Sequence, residues 1–158
     1  MINILIIIIL ITVVFSLKAF NDRAFFERFL FYPYGLQDGG KIWQFISHIL
    51  IHADWGHLIF NMMSLYFLGD LLLKNFTWEY GIIQGQIHFL LIYLLGGFFA
   101  SLYSFIRHRN NVGYRSLGAS GAVSAVIFGC ILWIPGIEIS LLFIPIGIKG
   151  YILARCFC

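Results

Sequence analysis

Three histidines and an asparagine, His48, His52, His57 and Asn61, stand at the mouth of a strongly apolar run, in the stretch H-I-L-I-H-A-D-W-G-H-L-I-F-N. Ionisable and polar groups are costly to place where a chain enters a bilayer, so such a cluster is a functional candidate by default. Taken alone, its residue types suit either a metal site or histidine-centred acid–base catalysis. A second candidate is Ser120, in L-G-A-S-G-A at the start of a later apolar run. Here a packing role competes with a chemical one. Gly118, Ala122, Ala125 and Gly129 follow i, i+4, i+7, i+11 spacing, which leaves one helix face nearly bare backbone for a close neighbour. On that reading Ser120 is one more small packing residue.

The elements that must position these residues are membrane spans. Of the 158 residues, 61% are hydrophobic and only 11% charged, against roughly 25% charged in a soluble domain. Such a chain cannot cover a water-facing surface, and an all-α, polytopic membrane bundle follows. The net charge of +3 is small and scattered, which excludes nucleic acid as a partner and leaves the lipid bilayer. Cys130, Cys156 and Cys158 form no disulfide framework, and a terminal C-x-C supplies two ligands where zinc needs four; they read as free thiols.

Five apolar runs are expected in one domain over 1–158, at about 2–17, 57–73, 87–105, 117–134 and 139–157. The first lacks a basic leader and a small-residue cleavage site, so it reads as a span and not a signal peptide. Residues 18–47 mix charges with Phe25, Phe26, Phe29, Phe31, Tyr32, Tyr34 and Trp43, a density that suits a loop lying at the lipid–water interface. Asp54 is placed to cap the second span. Gly69-Asp70 are expected to interrupt that span near its far end and Lys74 to close it, with residues 75–86 as a short turn region. The third span carries Gly96, Gly97, Ala100 and Ser101, which permit close helix approach. A basic loop at 106–115 follows, and the last run ends abruptly, as in a C-terminally incomplete protein.

Topology joins the two candidates. The second and fourth spans are separated by one other, so they start on the same side of the membrane. His57 and Asn61 share a helix face at i, i+4, and Ser120 lies in the first turn of its helix. At about 1.5 Å rise per residue all three sit within roughly 10 Å of one surface. First-turn N–H groups lack intrahelical partners and carry partial positive charge. A serine there offers a hydroxyl for attack and its own N–H to a developing oxyanion, with Asn61 and His57 as further donors, each worth about 3 kcal/mol when well aimed. Gly118 and Gly121 would let a substrate backbone come close. The G-x-S-G run is not a soluble hydrolase elbow, which needs a preceding strand and a glycine where Ala122 stands.

At Trp43-Gln44, His48, His52-x4-His57-x3-Asn61 and Gly118-Ala119-Ser120-Gly121 the chain resembles the rhomboid family of intramembrane serine proteases. The resemblance runs from the first span to the start of the fifth. It implies a bundle of six or more spans that cleaves substrate transmembrane helices near the membrane surface, without cofactor or metal. Ser120 would then be the nucleophile, Asn61, His57 and the Ser120 N–H the oxyanion hole, and His52 and His48 braces for the loop above the second span. It implies an integral, multi-pass protein of a bacterial inner or plasma membrane. Three departures stand out. The family's base is a histidine in the sixth span, which this sequence lacks; His88 lies at the far end of the third span and His108 in the basic loop. Gln44 replaces the arginine usual after the tryptophan, which is expected to loosen the first loop. Ser124 replaces an aromatic that packs on the base. The family also places the first loop and the 107–115 loop outside, although they carry seven of the ten Lys and Arg residues, which the positive-inside rule would put in the cytoplasm. Two other functions compete: a non-catalytic rhomboid-like protein that binds transmembrane segments and, more weakly, a transporter component, against which the near absence of charge in the spans argues.

Overall fold

The first apolar run becomes helix α1, Ile4–Asn21, started by Asn3, whose side chain accepts from the Leu5 N–H at 2.9 Å. In this computed structural model residues 3–37, 39 and 41–134 are described, with the backbone of Glu138–Ile139 and Ile148–Lys149. Helix α1 runs four residues past the expected end of its span. It stops at Asp22, whose extended backbone breaks the helix and whose carboxylate accepts from the Phe25 N–H to start α2, Arg23–Phe29. Leu5, Ile8, Thr12, Ser16 and Ala19 form one buried stripe along α1, at the three- and four-residue spacing of a helix face.

Past α2 the chain forms a short 3-10 turn at Tyr34–Leu36, the one-turn helix α3, Gln44–Ser47, and a second 3-10 turn at His48–Leu50. Helix α4, Trp55–Tyr80, begins where expected: the Asp54 carboxylate accepts from the His57 N–H at 2.8 Å, meeting both an orphan donor and the positive helix end. Its far end lies further on than the expected close at Leu73. Gly69 is a close-approach point and no breaker, since a side chain there would come within 3.1 Å of Leu5 and 3.2 Å of Phe89. Asp70 and Lys74 pair at 2.6 Å along the helix surface and do not end it, an i, i+4 pair that supports a helix. The expected turn at 75–86 therefore shrinks to Gly81 alone, at φ 83°, and α5 starts at Ile82 and runs to His108. Gly85 lets that hairpin close: a Cβ on it would fall 2.6 Å from the Thr77 nitrogen.

Helix α6, Ser120–Trp133, starts three residues later than expected and has 14 residues, about 21 Å of rise. Helices α1, α4 and α5 are long and apolar enough to cross a membrane. Their outward faces carry Leu10, Val14, Phe67 and Phe99, each more than half exposed, as a lipid-facing surface requires. The core between them is built on Leu65, Leu72, Phe89, Tyr93 and Val126. Of the expected fifth span, Ile139, Ile148 and Lys149 belong instead to a two-residue antiparallel ladder, Glu138–Ile139 (β1) with Ile148–Lys149 (β2). The sequence between them holds Pro145 and Gly147, both helix breakers. The rest of that span lies outside the described residues.

The bare-backbone face of α6 receives a close neighbour, as its spacing implies. Ala125 meets Gly96 of α5, where an added Cβ would overlap the alanine methyl, and Gly121 meets Ala100, whose methyl would lie 2.5 Å from a Cβ there. Gly121 therefore seats a helix and does not open space for substrate. Ala122 and Gly129 pack within the same contact region, the latter beside Leu72 and Ile92. Gly118 precedes the helix and does something else.

Candidate active site

The cap at Asp54 fixes the first turn of α4 and with it His57. One turn on, the buried Asn61 amide donates to the His57 carbonyl at 2.9 Å. An amide NH2 has two donors, so one N–H of Asn61 is not consumed by that bond. The His57 ring lies against Gly118: a Cβ on Gly118 would stand 2.6 Å from His57 Cε1 and 2.9 Å from Nε2. Gly118 has φ 102°, a backbone state that L side chains rarely adopt. The residue type is thus required twice, by backbone and by space. Helices α4 and α6 do start at the same end, as their parity requires.

The segment 116–119 that leads into Ser120 hangs from the first loop by four hydrogen bonds. Phe31 and Ser116 exchange a pair, at 2.9 and 3.1 Å, and the Gly118 N–H donates to the His48 carbonyl at 3.0 Å. The Ala119 N–H donates to His52 Nε2 at 3.4 Å. Ser120 itself is exposed and is the first residue of α6; Ala119 before it provides no side-chain cap. The serine N–H is thus one of the orphan donors at the positive end of a helix.

His48 and His52 are buried, and both ring nitrogens of each face a polar partner. His48 Nδ1 donates to the Gln44 carbonyl at 2.8 Å, and its Nε2 faces the Ser101 hydroxyl at 3.5 Å. His52 Nδ1 lies 3.0 Å from the Ser16 hydroxyl. His57 meets the edge of His52, ring centres 4.9 Å apart. Neither ring nitrogen of His57 has a hydrogen-bond partner among the described residues. The two remaining histidines of the five in the sequence are elsewhere. His88 sits at the other end of the bundle, edge-on to Tyr80 at 4.7 Å, and His108 stacks on Tyr114 at 3.8 Å. Gln44 does the reverse of loosening the first loop. Buried, it accepts from the Tyr32 N–H at 3.3 Å and donates to the Arg28 carbonyl at 3.2 Å, two backbone groups that a shorter side chain would leave unmatched.

Burial sets the titration of His48 and His52. His48 is pushed down to about 4 by desolvation, which its bond to the Gln44 carbonyl partly opposes. His52 is pushed down to about 4 by desolvation and by neighbouring His57, against the pull of Asp54. A free imidazole titrates near 6.5. Between these values the unfolded chain binds protons that the folded chain refuses, so the full stability holds above about pH 6.5 and falls as the pH drops toward 4. One fully buried histidine accounts for a loss on the order of 3 kcal/mol at the bottom of that window. The thermal midpoint in detergent is expected to decline from pH 7 to pH 4.5, less steeply in a His48→Gln variant. A midpoint flat across that range would contradict this account.

Residue pattern, helix order and the loop geometry around Ser120 define one class. The chain belongs to the rhomboid family: the Rhomboid domain model matches residues 39–157. Among curated proteins it is similar to the putative rhomboid protease YdcA of Bacillus subtilis (strain 168), at 29% identity over 119 residues, covering 75% of this chain and 54% of that protein. It is 35% identical over 92 residues to the rhomboid protease GluP of the same organism, covering 58% of this chain and 15% of GluP. The mitochondrial RHOMBOID-like protein 12 of Arabidopsis thaliana is 28% identical over 145 residues, which covers 82% of this chain and 40% of that protein. The chain thus spans about half of YdcA and less of the others. No solved structure matches it. Family and helices together make it an integral, multi-pass membrane protein.

Proposed function

We propose that the chain carries the nucleophile half of an intramembrane serine endopeptidase site, which acts on peptide bonds in or near transmembrane helices of other proteins in a bacterial membrane. The observation that carries this reading is the exposed Ser120 at the first turn of α6, directly after a segment tied to His48 and His52. In this reading the Ser120 hydroxyl attacks the substrate carbonyl. The Ser120 N–H, the second Asn61 N–H and the His57 ring stabilise the resulting oxyanion. His48 and His52 hold the loop and take no proton, which agrees with rings whose nitrogens are already engaged. Serine is a weak nucleophile without an adjacent base, and none of the five histidines is assigned that role. This chain by itself is therefore expected to cleave a model transmembrane substrate little or not at all.

The test uses that gap. Ser120 is expected to react slowly with a fluorophosphonate probe, and added imidazole should accelerate the reaction by about tenfold, a small part of the general-base contribution. Ser120→Ala should abolish labelling and Ser124→Ala should leave it intact. A second reading, a non-catalytic protein that binds transmembrane segments, draws on the same lack of a positioned base. Absence of labelling with and without imidazole, or labelling that survives Ser120→Ala, would favour it and sink the first.

A further inference from the structure

We propose that Ser16, on the buried stripe of α1, is a positioning residue for Ser120: its hydroxyl fixes the tautomer of His52 that holds the Ala119 amide. The inference rests on the reading of Ser120 as nucleophile for its functional meaning, and on geometry for the link itself. Ser16 and His52 are both fully buried, and so is Ala119. The Ser16 hydroxyl stands 3.0 Å from His52 Nδ1 and 3.1 Å from the Leu50 carbonyl. On the far side of the ring, Nε2 stands 3.4 Å from the Ala119 nitrogen.

The protons in this chain can be placed in one way. A backbone N–H only donates, so Nε2 of His52 must be the acceptor for Ala119. A neutral imidazole carries one N–H, which is then on Nδ1 and is donated to the Ser16 oxygen. The Ser16 hydroxyl gives its own proton to the Leu50 carbonyl. Each donor from Ala119 to Ser16 has an acceptor, and the chain ends on a backbone oxygen that needs a donor. Reversing the ring would face Nε2–H against the Ala119 N–H, two donors at 3.4 Å, and leave Ser16 as the sole donor to both Nδ1 and Leu50.

Removing the Ser16 oxygen removes the reason for that order. A buried Nδ1–H would have no acceptor, and buried polar groups strongly favour a partner. The ring would shift toward its Nε2–H form, release Ala119, and free the residue that sets the start of α6. The first membrane helix thereby acts on the nucleophile through one ring, without touching it. An ordinary buried serine that only fills space would do none of this.

The test is nitrogen NMR of the full chain in detergent micelles with labelled histidine, together with amide exchange and probe labelling. In the parent chain His52 is expected as the Nδ1–H form. In Ser16→Ala a substantial share of the Nε2–H form should appear, and the Ala119 amide should exchange at least tenfold faster, while Val126 in the middle of α6 is unchanged. Fluorophosphonate labelling of Ser120 should fall several-fold, and Ser16→Thr, which keeps the hydroxyl, should restore all three. Where alanine impairs folding, Ser16→Cys keeps the volume and weakens the acceptor, with the same expected shifts. Unchanged tautomer and Ala119 exchange overturn the proposal, as does faster exchange spread evenly over α6. If the parent chain shows no labelling at all, the nucleophile reading fails, whereas tautomer and exchange still decide whether Ser16 holds the loop.

Discussion

In a Gly118→Ala variant, Ser120 is expected to react with a fluorophosphonate at least about 100-fold more slowly than in the parent chain, while the helices stay assembled. Two costs meet at this position. The backbone angle of 102° belongs to a region that costs a residue with a Cβ roughly 1–3 kcal/mol. The added methyl would also lie 2.6 Å from the His57 ring, well inside contact distance, so either the ring or the segment must move. If the ring moves, a donor proposed for the oxyanion is lost; one such donor is worth about 3 kcal/mol, or roughly 100-fold in rate. If the segment moves, the bond from the Gly118 N–H to the His48 carbonyl goes, and Ser120 shifts with it. Circular dichroism should change little, and the thermal midpoint should fall only by the few degrees that roughly 1–3 kcal/mol of backbone strain implies. Labelling within threefold of the parent rate would show that Gly118 is not holding this geometry.

A Gly96→Val substitution should act on the opposite quantity, stability, and remove at least about 3 kcal/mol, the upper end of what overpacking a well-filled interior costs. A Cβ on Gly96 would overlap the Ala125 methyl, with Gly121 and Ala122 of α6 directly beside it. Helix-to-helix attraction in lipid comes from close packing and not from burial of apolar surface, so spreading this crossing removes the attraction itself. A fall in thermal midpoint of about 10 °C or more in detergent is expected. Adding Ala125→Gly should return part of it, because the two positions share one contact. An unaltered midpoint in the single variant would mean that α5 and α6 do not meet here.

The placement of the candidate residues is more legible in the sequence than the helix ends are. His48, His52, His57, Asn61 and Ser120 were legible because polar residues at an apolar helix mouth are conspicuous, and span parity brought them to one side. Helix ends are hidden where a residue has two meanings. Gly69, Asp70 and Lys74 read as a stop by type, yet Gly69 is a packing point and the other two an ion pair along the helix. What makes Gly69 compatible with a helix lies on α1 and α5, at Leu5 and Phe89. Gln44 read as a loss because the expected arginine was missing; its value lies in two backbone groups at Tyr32 and Arg28 that only the fold brings near. Ser16 is inconspicuous inside an apolar run, although Thr12 and Ser16 at helical spacing are a usable sign of a buried polar face. The family model over 39–157 agrees with the resemblance drawn from the histidine and serine motifs.

The suspension of residues 116–119 from the first loop has a consequence for how such a site comes into being. Every tie that orients the serine spans 67 positions or more of the chain. Contacts this distant carry a loop-closure cost and form only after the intervening segments have found their places. A nascent chain therefore has an unaimed serine until α1, the first loop and α4 have docked against α5 and α6. Of the candidate residues Ser120 is thus the last to be placed, and on the proposed reading it would face a substrate helix only after its own bundle had assembled.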